Sequence, residues 1–97
     1  MHIGVLKIKL RLAENETLKG KRQVLKSVMA RVRNTFNVCI AEVDDQDYWQ
    51  LATLGVTCVS NDPQHANEVL SKVLNFIGSG RYDYELLDSQ LEVIQGL

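Results

Sequence analysis

From Gly4 to Leu12 the chain alternates without a break. Leu6, Ile8, Leu10 and Leu12 fall on one side, and Val5, Lys7, Lys9 and Arg11 on the other. A period of two predicts a strand with one buried face. After a polar turn over Ala13 to Thr17 the spacing changes. Leu18, Leu25, Val28, Met29, Val32 and Phe36 lie on one stripe of a helix that Thr17 is placed to cap. Gly20 in its first turn costs about 1 kcal/mol relative to Ala. Val38 to Val43 and Ala52 to Val59 are rich in β-branched residues and predict two further strands. Asn61-Asp62-Pro63 starts a second helix, with Asp62 as cap and Pro63 where no N–H is needed. Ala66, Val69, Leu70, Val73, Leu74 and Ile77 form its apolar face, and Gly78-Ser79-Gly80 stops it. Tyr84 to Ile94 is a last, less regular and acidic strand.

The order β-α-β-β-α-β predicts an α+β, ferredoxin-like domain spanning residues 1–97. Right-handed crossovers make the first and second strands parallel with the third between them. The expected architecture is a four-stranded antiparallel sheet of order 4-1-3-2 with two helices on one face. The other face is left open, and what occupies it is a functional question.

Closing the middle hairpin around Asp47 sets Cys39 opposite Cys58, Ala41 opposite Val56 and Val43 opposite Leu54, on the helix-covered side. Val38, Ile40 and Glu42 then join Thr53, Gly55, Thr57 and Val59 on the open face, beside Ile3, Val5, Lys7, Lys9 and Arg11. Ile3, Val5, Val38, Ile40 and Val59 gather at one end as a candidate interface for a homodimer or higher oligomer. The basic row at the other end resembles a nucleic-acid-binding sheet, but the stacking aromatics of such sheets are missing from the third strand. Cross-strand pairing with Asp88 and Glu92 is the simpler reading.

Charge changes the picture. The net formal charge is only −1, yet residues 1–36 hold nine Lys and Arg against two acids, and residues 37–97 hold two against ten. Lys19, Arg22, Lys26 and Arg33 share one stripe of the first helix beside its apolar face, and that helix contains no acid to neutralise them. With Lys21 they form a candidate phosphate- or RNA-binding set, electrostatic rather than base-specific. The bland alternative is a solvated face whose charges meet carboxylates elsewhere in the chain.

Glu42, Asp44, Asp45 and Asp47 are the densest acidic cluster and the alternative site, for a small ligand or metal. They lack the spacing of a calcium loop, and a solvated turn accounts for them. Trp49 and Tyr48 beside them are expected to anchor the hairpin to the core or to an interface. His2 and His65 have no ligand-like or triad-like neighbours in sequence. Cys39 and Cys58 read as buried, reduced thiols. No phosphate loop, dinucleotide fingerprint or nucleophile elbow is present. No catalytic set, metal or cofactor is assigned. An N-terminus that meets Lys7 and Lys9 at once has no signal-peptide core, so a cytoplasmic protein without membrane contact is expected.

Leu18-Lys19-Gly20-Lys21-Arg22, Phe36-Asn37-Val38, the run Ala41 to Gln50 and Val59-Ser60-Asn61-Asp62 together resemble the YlxP-like family of small bacterial proteins of unknown function. The similarity runs over nearly the whole chain. It implies a ferredoxin-like domain and, because such proteins are often encoded beside translation initiation and ribosome-binding factors, a link to translation or ribosome maturation. It supplies no catalytic residues. Gly20 departs from the polar residue expected inside the basic motif. The reading that results is a non-enzymatic binding protein, self-associating and contacting ribosomal RNA or a ribosome-bound partner. The alternative is a ligand- or metal-binding protein or enzyme built on the acidic hairpin.

Overall fold

The computed structural model describes residues 1–79 and 83–97. Strand β1 spans His2–Arg11, helix α1 Leu18–Thr35, β2 Cys39–Asp44, β3 Leu51–Ser60, α2 Pro63–Gly78 and β4 Glu85–Gln95. The sheet order is β2-β3-β1-β4 and every neighbouring pair is antiparallel. This is the expected ferredoxin-like arrangement. Leu6, Ile8 and Leu10 of β1 and Ala52, Leu54 and Val56 of β3 are buried under Leu25, Val28 and Val32 of α1 and Leu70, Val73 and Ile77 of α2. No helix among the described residues is long and apolar enough to cross a membrane.

The helix starts follow the sequence signals. Thr17 Oγ1 accepts from the Gly20 N–H at 2.9 Å, and Asp62 Oδ1 accepts from the Gln64 N–H at 3.0 Å. At the far end of α2, the buried Tyr84 hydroxyl donates to the Ile77 carbonyl at 2.7 Å. Gly78 ends the helix and Ser79 caps it, while Gly80 of the expected stop lies outside the described residues.

Gly20 is a required glycine rather than a weak point. A Cβ there would stand 2.2 Å from Asn15 Oδ1. The Asn15 amide donates to the Thr17 carbonyl at 2.6 Å and to the Trp49 carbonyl at 2.5 Å, tying the entry of α1 to the β2–β3 connection. Gly20→Ala, which would normally gain about 1 kcal/mol in a helix, is therefore expected to lower the melting temperature, because Asn15 must let go. A thermal melt showing a rise would refute this account.

The β2–β3 register differs by one residue from the expected one. Cys39 pairs with Thr57, Ile40 with Val56, Ala41 with Gly55 and Glu42 with Leu54, and the register shifts before Asp44 meets Thr53. A slip of one residue turns a whole strand over. Ile40 is buried beneath the helices, and Cys39, Ala41 and Val43 are exposed on the open face. The bulge at Val43 folds its side chain across Gly55, where a Cβ would meet Val43 Cγ1 at 2.8 Å. Cys39 and Cys58 consequently lie on opposite faces. Cys58 points its thiol at the Ala66 carbonyl, and burial pushes that thiol upward in pKa.

Candidate nucleic-acid interface

Helix α1 carries the candidate site. Its apolar stripe is fixed against β2 and α2, which turns the flank bearing Lys19, Arg22 and Lys26 to solvent. All three are exposed, and no carboxylate lies within ion-pair distance of any of them among the described residues. Two of the three stand in the first turns, where no acid offsets the positive end of the helix dipole. Arg33, on the same stripe, donates from Nη2 to the Ile40 carbonyl at 2.8 Å and so braces β2 while remaining partly accessible.

Lys21 does not belong to this surface. Its side chain is 1% exposed, and Nζ lies 2.8 Å from Glu42 Oε2. The ammonium also donates to the carbonyls of Asp45, Gln46 and Leu51 at 2.8, 3.2 and 3.1 Å. Three backbone acceptors and a carboxylate counter-ion compensate a charge that burial alone would not tolerate. Lys21 thus fastens the hairpin connection to α1. The signal was present in the spacing: Lys21, Leu25, Val28 and Val32 follow one helical row, so Lys21 sits on the core stripe.

The acidic cluster is dispersed. Glu42 is held by Lys21. Asp44 Oδ1 accepts from the Asp45 N–H at 2.8 Å. Asp45, with φ at 61°, turns its carboxylate onto the open face, where Oδ2 accepts from Thr53 Oγ1 at 2.6 Å and lies 3.6 Å from Lys9 Nζ. The Thr53 hydrogen bond, and after it the Lys9 charge, hold the Asp45 carboxyl below its usual pKa against the opposing effect of burial. Asp47 is exposed. No group of three or more His, Cys, Asp or Glu placed to hold a metal ion exists among the described residues.

The basic row of β1 is partly answered within the sheet. Arg11 Nη2 reaches both oxygens of Glu85 at 3.1 and 3.3 Å, and Lys9 faces Asp88 across the strands. Lys7 lies opposite Gln90 rather than an acid.

The apolar candidates divide. Ile3, Val5 and Val59 are on the open face as expected, with Val5 and Val59 39% and 67% exposed. Val38 and Ile40 are not: Val38 packs against the core and Ile40 is within it, a consequence of the shifted register. In their place Cys39, Ala41 and Val43 come to the surface, and Ile94 joins as the cross-strand partner of Ile3.

Residues 3–91 match the family model described as "Protein of unknown function (DUF503)". The chain belongs to the DUF503 family. It is 39% identical over 77 residues to the uncharacterized protein YlxP of Bacillus subtilis (strain 168), covering 79% of this chain and 84% of that protein. The likeness to YlxP anticipated from the basic and acidic motifs is thereby established. Within this DUF503 chain the matched region takes in all of α1 and the β2–β3 connection, so Lys21, Glu42 and the exposed ridge all lie inside it.

Proposed function

We propose that this DUF503 protein is a non-enzymatic, cytoplasmic binding protein that contacts the phosphate backbone of RNA, ribosomal RNA in the first instance, through the outer flank of α1. The observation that carries this is the set Lys19, Arg22 and Lys26: three exposed cations on one stripe with no carboxylate in ion-pair distance among the described residues. Long side chains whose stems run beside the apolar face present their charges at full reach. Phosphates satisfy such a row without any base being read. Co-sedimentation with ribosomes, or anisotropy with a ribosomal RNA fragment, is expected to be strong at 50 mM and weak at 200 mM salt, as counter-ion release requires. Binding indifferent to salt would exclude it.

A second copy of the chain is the partner we propose for the open face of the sheet. Val5, Val43, Val59 and Ile94 are 39%, 51%, 67% and 46% exposed there. Four strands at about 4.8 Å spacing and about ten residues at about 3.3 Å give a face of roughly 600 Å². Two copies would cover roughly 1,200 Å² in total, at the lower edge of a stable interface. Strand β3 brings no charge to that face, and Lys9 and Arg11 already have partners within the chain. Sedimentation is expected to give a dimer that Val59→Asp dissociates into a folded monomer, with Cys39 newly open to alkylation. A wild-type monomer at high micromolar concentration would refute it.

A further inference from the structure

Two exposed aromatic residues sit on a turn that hydrogen bonds tie to the fold. Tyr48 and Trp49 are 62% and 52% exposed, so neither anchors the hairpin to the core. Their backbone is pinned from both sides. Lys21 Nζ holds the carbonyls of Asp45, Gln46 and Leu51. The Tyr48 N–H donates to the Asp45 carbonyl at 3.1 Å, and the Leu12 N–H to the Gln50 carbonyl at 2.8 Å. Gln50 Nε2 reaches the carbonyls of Ala13 and Asn15 at 3.4 and 3.3 Å. The rings are therefore presented by a tied turn, and only their side chains, not its backbone, have to be ordered against a partner.

Their position matters as much as their exposure. One amide group, that of Asn15, donates to both the Thr17 and the Trp49 carbonyls. Thr17 precedes Lys19 by two residues, so Trp49 is held next to the start of the cationic ridge. Of the neighbouring acids, Glu42 is neutralised by Lys21 and Asp45 is turned to Thr53 and Lys9 on the far side. Glu14, Glu16, Asp44 and Asp47 are exposed around the rings and disfavour phosphate there. Phosphates are thus directed to α1, and flat, uncharged groups to the rings.

We propose that Tyr48 and Trp49 form a base-stacking platform, and that the partner at α1 is single-stranded nucleic acid, its backbone on Lys19, Arg22 and Lys26 and its unpaired bases on the two rings. This rests on the phosphate-binding reading of α1 and adds the class of strand. Duplex offers phosphates but no free base faces, whereas a single strand offers both.

Trp49 is the single tryptophan of the chain, so its fluorescence reports the platform alone. The intact protein is titrated with a labelled RNA of about 12 nucleotides, a length within the range such sites cover, and with the same sequence as a duplex. Expected are quenching of Trp49 by the single strand and a preference for it over duplex of roughly 5- to 160-fold per stacked base. Trp49→Ala and Tyr48→Ala, followed by anisotropy, should erase that preference and leave the salt dependence in place. Equal, salt-sensitive binding of strand and duplex, or binding without any change in Trp49 emission, overturns the platform while the ridge stands. No binding of either overturns both. Retained preference in Trp49→Ala and Tyr48→Ala alike would place the stacking elsewhere and refute this assignment.

Discussion

Lys21→Met is expected to destabilise the protein by about 3 kcal/mol, the lower end of what breaking a buried ion pair costs. The lower end applies because the Glu42 side chain is 19% exposed and can turn partly to water. In a chain of this length that is a fall in melting temperature of roughly 12–24 °C. The methionine fills nearly the same volume, so the loss is not one of packing. It comes from stranding the Glu42 carboxylate and three carbonyls, those of Asp45, Gln46 and Leu51, that share one ammonium. Lys21→Met with Glu42→Leu should recover part of the loss, since an apolar pair removes the stranded charge. Recovery stays incomplete because the carbonyls remain without a donor. Lys21→Arg should not substitute, because a planar fork cannot converge on three carbonyls around a point. Thermal melts of the four proteins check this. A Lys21→Met variant as stable as wild type would mean that the ammonium is solvated and not part of the core.

The same residue shows where the sequence could be read and where it misled. Strict alternation in β1 and the caps at Thr17 and Asp62 are local signals, and local geometry alone decides them. The sheet order followed because crossover handedness leaves few topologies. Strand β2 was different. Among its six residues Ile40 is the one large aliphatic besides Val43, and Val43 falls in the bulge. Cys39 and Ala41 suit either face, so the pattern could not choose between them. The choice is made at a distance: Lys21 draws Glu42 inward, and Ile40, two residues earlier on the same side, goes with it. Lys21 lies in a basic run and so reads as a surface cation, although its helical row is the row of Leu25 and Val28. The outward flank of α1 was legible because its partners are absent from its own helix. The aromatic tip was not, since nothing in Tyr48-Trp49 tells a core anchor from an exposed ring.

Reversing the ridge with Lys19→Glu, Arg22→Glu and Lys26→Glu together should separate function from stability in opposite directions. Three phosphate contacts contribute about two to three to the slope of log affinity against log salt. Between 50 and 200 mM that alone is roughly a 20- to 60-fold change in affinity, and the variant should show neither the slope nor the low-salt binding. The fold should not suffer. None of the three side chains has an ion-pair partner to lose among the described residues, and changes at such exposed positions stay within about 0.5 kcal/mol. Glutamates in the first turns also suit the positive end of the helix dipole, worth about 0.3–1 kcal/mol each at low salt, where lysine and arginine oppose it. The variant should therefore melt at or above the wild-type temperature while failing to bind. Cations where acids would serve the helix better are a cost to stability, which on the proposed reading a phosphate partner offsets. A reversed ridge that melts lower than wild type would show that these side chains support the fold. A reversed ridge that still binds with the wild-type salt slope would move the phosphate contacts off α1.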